Sequence, residues 1–200
     1  MNAWTILLRT LAAVALFVYP VFVWLGLSTT ESSPRFVALG LLLVILPAAF
    51  LRLRRSNQPH LKGLAFVPLT VVAILLLTVA LDARGLILLT PVLTNCVLLF
   101  AFGVTLRPGS MPMIERFARL QQKDLGDEQR AWCRLWTWIW CAFFVFNGAT
   151  AGALAAFAPM SWWAFYNGML CYALIGGVFL LEWLLRRRRF PQLRDGKANA

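Results

Sequence analysis

Two apolar runs, Trp132 to Phe157 and Trp162 to Leu185, constrain this chain more than any other feature. Each exceeds the ~20 residues that a helix needs to cross ~30 Å of hydrocarbon. Both are predominantly apolar rather than alternating, so they read as membrane helices, which satisfy every backbone group internally. Each carries an Asn-Gly pair behind an aromatic residue: Phe146-Asn147-Gly148 and Tyr166-Asn167-Gly168. The basic run Arg186 to Arg189 then stops transfer.

Composition agrees. Of 200 residues, 60% are hydrophobic and 14% charged. A soluble domain has about 45–50% apolar and about 25% charged residues. The expected fold is an all-α membrane protein in one polytopic domain, residues 1–200. It has six transmembrane helices and a short amphipathic interfacial helix between the fourth and fifth. The spans are about 10–27, 35–53, 63–81, 86–106, 132–157 and 162–185. A signal peptide is the competing reading of the first. Its apolar core usually has about 7–15 residues and a small-residue cleavage site follows. Ser28-Thr29-Thr30-Glu31 offers no such site, so an uncleaved helix is expected.

The interfacial helix is expected over about 112–123. Pro112 suits a first turn. At ~100° per residue, Met113, Ile114, Phe117, Ala118 and Leu120 project to one side and Glu115, Arg116, Arg119 and Lys123 to the other. That pattern suits a helix lying in the membrane surface, with its cations toward lipid phosphates. A connector packed on the bundle is the alternative. Tryptophans crowd the starts of the last two spans, as in an aromatic belt. Trp138 and Trp140 reach deeper and are expected to pack between helices.

Six spans place both termini on one side. If that side is the cytoplasm, every basic residue except Arg35 and Arg84 lies there. This is the asymmetry of the positive-inside rule, and it predicts an inner (plasma) membrane protein with cytoplasmic N- and C-termini. It also accounts for the net charge of +11 without nucleic acid. No RNA-binding motif or basic-aromatic interleaving is present.

With this topology Asn95, Asn147 and Asn167 fall at comparable depth, in the outer half or near the midplane. Polar residues there often mark pathways. They also serve as glue, because Asn and Thr hydrogen bonds between helices contribute roughly 0.6–2 kcal/mol. Gly148 and Gly152 form a GxxxG face that favours close approach. The Asn layer is therefore either interhelical glue or the lining of a ligand cleft. Glu182 stands four residues before Arg186, the favoured spacing for a helical ion pair at the interface.

Enzyme chemistry finds little support. His60 is the lone histidine, and no Ser/His/Asp or Cys/His set is evident. Neither a Walker motif nor GxGxxG is present. Cys96, Cys133, Cys141 and Cys171 lack CxxC spacing and read as small hydrophobes. No metal, no cofactor and no catalytic residue is expected.

Residues Pro112 to Arg119, Trp132 to Trp140, Phe146-Asn147-Gly148 and the run to Arg189 carry a resemblance. Over about residues 107–190 the chain resembles a family of uncharacterised bacterial inner-membrane proteins. These are encoded with fatty-acid-synthase-like genes for aryl polyene biosynthesis. The resemblance implies lipid or polyene assembly as the setting, with ketosynthases, acyltransferases and acyl carrier proteins as neighbours. It transfers no catalytic residue, and the chain lacks the cysteine and histidines of a ketosynthase. The expected role is a non-catalytic scaffold at the cytoplasmic membrane face. The alternative is a small transporter or flippase for a lipid-like product. Arg116, Arg119 and Lys123 form the expected cytoplasmic face. Anionic lipids of the bilayer suit it, and so does an acidic acyl carrier protein steered by charge.

Overall fold

The computed structural model describes residues 34–55, 66–120, 122 and 124–191. Among these residues the chain is helical, with no strand. Helix α1 (Pro34–Arg55) is followed by α2 (Phe66–Leu81) and α3 (Arg84–Gly103). A 3-10 turn, Val104–Leu106, ends α3. Short α4 (Met113–Ala118) leads to α5 (Asp127–Phe157) and α6 (Met160–Arg189). Successive long helices alternate in direction, and α3 lies along both α2 and α5.

Local chemistry sets the ends. Pro34 opens α1, where its missing N–H costs nothing. The next backbone N–H, of Arg35, donates to Asp82 Oδ1 at 2.9 Å, and Arg35 Nε donates to the Val79 carbonyl at 2.8 Å. The turn between α2 and α3 thus caps α1. Asp82 holds φ 51° there, a left-handed conformation that Asp tolerates better than most residues. After α3, Gly109 takes φ 77° in the turn that redirects the chain.

Apolar side chains join the helices at two levels. Near the Arg35 end, Val37, Ala38 and Leu41 of α1 meet Leu75, Ile87 and Trp163. Near the other end, Phe102 and Leu106 meet Met113, Trp140, Cys141 and Phe144. Phe102 and Phe144 pack edge to face with centroids 5.1 Å apart. That geometry adds about 0.5–1.5 kcal/mol beyond area burial.

Three stretches are long and apolar enough to cross a membrane: Gly85–Leu106, Asp127–Phe157 and Met160–Arg189. Apolar Leu69–Leu81 of α2 is shorter. At ~1.5 Å per residue α5 is roughly 46 Å long, more than the ~30 Å hydrocarbon layer. The expected span 10–27, residues 63–65 of the third span, and His60 lie outside the described residues.

Several expectations need correction. The helix expected over 112–123 is six residues long, and a turn follows at Arg119 and Leu120. Its two sides are not those of the wheel: Glu115 is buried and Leu120 is exposed. The reason is docking that covers more than one side of this short helix: Met113 is enclosed by α3 and α5, while Glu115, on another side, is buried in its pair with Arg119. Trp140 packs between helices as expected, but Trp138 faces outward and is 60% exposed. Two positions apart on a helix point about 200° apart, so both could not face the same neighbour. The fifth helix begins at Asp127, and the sixth extends from Met160 to Arg189.

Candidate functional site

The polar layer forms where α3, α5 and α6 meet. Its geometry starts from glycine. A Cβ placed on Gly148 would sit 3.1 Å from Asn95 Cβ, a tight contact, so the missing atom eases the close approach of α5 to α3 here. Asn95 and Asn147 face each other across this contact, and both are buried. Asn147 Nδ2 donates to Asn95 Oδ1 at 3.2 Å and lies 3.8 Å from Cys171 Sγ. The Tyr166 hydroxyl donates to Asn147 Oδ1 at 2.8 Å. Asn95 Nδ2 turns back to the Pro91 carbonyl at 2.8 Å.

Asn167 is buried at the same junction but stands apart from this network. Its Nδ2 donates within its own helix, to the Trp163 carbonyl at 2.9 Å. It lies in a π turn, Tyr166–Leu170, that interrupts α6. The structure therefore brings together Asn95 and Asn147 and links them to α6 through Tyr166 rather than through Asn167. Sequence reading missed Tyr166. The available signal was its place in Tyr166-Asn167-Gly168, taken only as the aromatic before an asparagine.

A second polar centre lies at the opposite end of the bundle, where α4 docks. Met113 N–H donates to Thr105 Oγ1 at 2.9 Å, and Ile114 N–H to Thr137 Oγ1 at 3.3 Å. Hydroxyls from α5 and the 3-10 turn thus cap α4, which has no cap of its own. Buried Glu115 pairs with Arg119, whose Nη2 lies 2.7 Å from Oε1. On α6, Glu182 Oε1 receives Arg186 Nε at 3.3 Å and Trp132 Nε1 at 3.3 Å. The expected helical pair thus also ties α6 to α5. Trp136 Nε1 is buried here without a hydrogen-bond partner among the described residues.

No protein-family model matches the chain, and neither a curated protein nor a solved structure matches it. The reading of the site rests on its geometry.

Of the expected cytoplasmic face, Arg116 and Arg119 are half-buried and Lys123 lies outside the described residues. Arg116 Nε donates to the Met111 carbonyl at 3.1 Å, and Arg119 is held by Glu115. Two cavities lie away from the Asn layer. One of about 140 Å³ is bounded by Leu88, Leu154, Met160 and Trp163. The other, of about 360 Å³, lies between the start of α5 and the end of α6. Cys133 and Cys141 are buried, Cys96 is exposed, and only Cys171 neighbours the polar layer. Among the described residues, no three His, Cys, Asp or Glu side chains form a group that could hold a metal ion.

Proposed function

We propose that the chain is a non-catalytic accessory protein of the bacterial inner membrane, a scaffold for lipid or polyene assembly at the cytoplasmic face. One observation carries this reading: the polar layer is engaged with itself. Asn147 binds Asn95 and Cys171 through its amide nitrogen and Tyr166 through its oxygen. A cleft for cargo needs convergent polar groups left over to meet the ligand. Bonds of this kind instead hold three helices in register. The proposal includes six spans with both termini cytoplasmic, which the basic residues favour. It keeps an acyl carrier protein as the partner class, at the Arg116, Arg119 and Lys123 end of the bundle.

A transporter or flippase is the second reading, and the π turn at Tyr166–Leu170 favours it. Such turns are frequent at functional sites. The two readings part on Asn147→Ala, studied in proteoliposomes containing a fluorescent phospholipid. A scaffold predicts a lower unfolding temperature and no change in lipid translocation by the folded fraction. Loss of translocation with unchanged stability would refute the scaffold. Pull-down of the cognate carrier protein at low salt tests the partner. Binding unchanged by Arg116→Glu, Arg119→Glu and Lys123→Glu together would remove this face as the dock.

A further inference from the structure

Helix α4 has six residues, and isolated helices shorter than ~12–15 residues are marginal in water. It therefore depends on docking. The N–H groups that open it are held by the hydroxyls of Thr105 and Thr137, which belong to other elements. The turn at Gly109, with φ 77°, precedes it, and a turn at Arg119 and Leu120 follows. A short helix between two turns, held from outside, is a strap that docks or undocks as a unit.

The ion pair within the strap is unequal. The Glu115 side chain is 8% exposed and that of Arg119 31%, and they lie 2.7 Å apart. Nε and Nη2 of Arg119 both donate to the same oxygen, Oε1. Glu115 and Arg119 are one turn apart on the same segment, so their pair does not itself tie α4 to the bundle. It neutralises an acid that docking takes out of water. A carboxylate buried without its partner is strongly disfavoured, whereas a guanidinium near the surface stays solvated. Arg119 can leave at little cost to itself, but Glu115 cannot stay buried without it.

The strap covers a thiol. Successive residues of α4 descend α5: Met113 meets Trp140, Cys141 and Phe144, and Ile114 N–H reaches Thr137. Cys133 stands one turn further down the same face and is buried. The charges of Glu115 and Arg119 reach it there, with those of Glu182 and Arg186 from α6. Cys133 is thus a built-in reporter of whether the strap is docked.

We infer that α4 is a strap gated by its own counter-ion: it stays docked while Arg119 neutralises Glu115, and an acidic protein surface that draws Arg119 away releases it. The inference rests on the acidic partner class proposed above and adds what binding does. A partner that takes Arg119 from Glu115 binds the undocked state better, so it shifts the strap toward release. By the same linkage, releasing the strap strengthens the partner's hold. Release uncovers Met113, Cys133 and the apolar socket between α3 and α5, and so turns a closed end of the bundle into an open surface.

The test uses the full chain purified in a neutral detergent and treated with iodoacetamide, with labelled cysteines located by mass spectrometry. Arg119→Ala should label Cys133 roughly tenfold faster than the wild type, because it leaves a buried acid without its partner. Glu115→Gln/Arg119→Ala should return the rate close to that of the wild type, since a neutral amide has far less to lose on burial. Arg119→Lys, which keeps the charge, should also stay close to the wild type. Cys171, in the polar layer away from the strap, should label alike in all of them. A rate that stays high in the double variant would give Arg119 a packing role and overturn the inference. So would an unchanged Cys133 rate in Arg119→Ala, a fast rate in Arg119→Lys, or equal rises at Cys133 and Cys171. Poly-L-glutamate serves as the acidic probe. At low salt it should speed Cys133 labelling in the wild type and not in Glu115→Gln, whose side chain stays buried without a counter-ion. Bound probe that changes neither rate, or both equally, would overturn the coupling while leaving the docking face in place. Absence of binding would sink the acidic partner, and the Arg119 variants would still decide the strap.

Discussion

Asn147 donates to Asn95 across the α3–α5 contact at 3.2 Å, and the hydroxyl of Tyr166 closes the triad from α6 at 2.8 Å. Each helix of the trio thereby contributes one polar side chain to a shared contact in an otherwise apolar layer. Asn147→Ala removes both bonds and takes from the Tyr166 hydroxyl the acceptor to which it donates. The expected loss is about 1–2 kcal/mol. Asn167→Ala, whose bond stays within its own helix, should cost less. Thermal unfolding in detergent of the two variants side by side checks the order, and equal losses would argue against the triad.

Glycine substitutions should separate packing from composition. A Cβ on Gly148 meets Asn95 at 3.1 Å, whereas one on Gly177 meets nothing within 4 Å. Gly148→Ala should therefore part α3 from α5 and lower the unfolding temperature. Gly177→Ala should be neutral or stabilise by up to ~1 kcal/mol through helix propensity. Gly152→Ala, with its nearest neighbour at 3.6 Å, should be tolerated.

The docking of α4 predicts an exchange pattern. Thr137→Val removes the acceptor for Ile114 N–H and should cost about 1 kcal/mol, as a lost helix cap does. Hydrogen exchange should rise at residues 113–118 and not along α3. Glu115→Ala, which removes the carboxylate that Arg119 pairs with, should cost more than Glu115→Gln, because the amide oxygen still accepts from the guanidinium. A rise confined to α5 would contradict this account.

The topology proposal yields a labelling experiment. In cysteine-scanning with a membrane-impermeant reagent, Ser32→Cys should react from outside the cell, and Pro108→Cys only after the membrane is opened. Labelling of Ser32→Cys from the cytoplasmic side alone would reverse the orientation.

Long apolar runs made α3, α5 and α6 legible from sequence, because a spanning helix depends mainly on length and hydrophobicity. Asn95 and Asn147 were legible too, since polar residues at matched depth are few. The rest depended on facing. Nothing local distinguishes Trp138, which points outward, from Trp140, which packs on Phe144 with centroids 5.7 Å apart. Glu115 looked like a solvent-side acid because its burial comes from the docking of a six-residue helix onto others. The π turn has no propensity signature of its own. It shows itself only through the neighbours that Tyr166 and Asn167 acquire.

That turn has a bearing on how the chain tolerates length changes. A π turn holds one residue more than an α turn, so the helix beyond it is offset by about 100° from the helix before it. Trp163, ahead of the turn, donates to the Leu88 carbonyl of α3. Glu182, beyond it, receives Trp132 of α5. The inserted residue is the phase correction that lets one helix serve both neighbours. Deleting one residue between 166 and 170 would leave α6 apolar and long enough to span, yet swing Glu182 and the four arginines to a different side of the bundle.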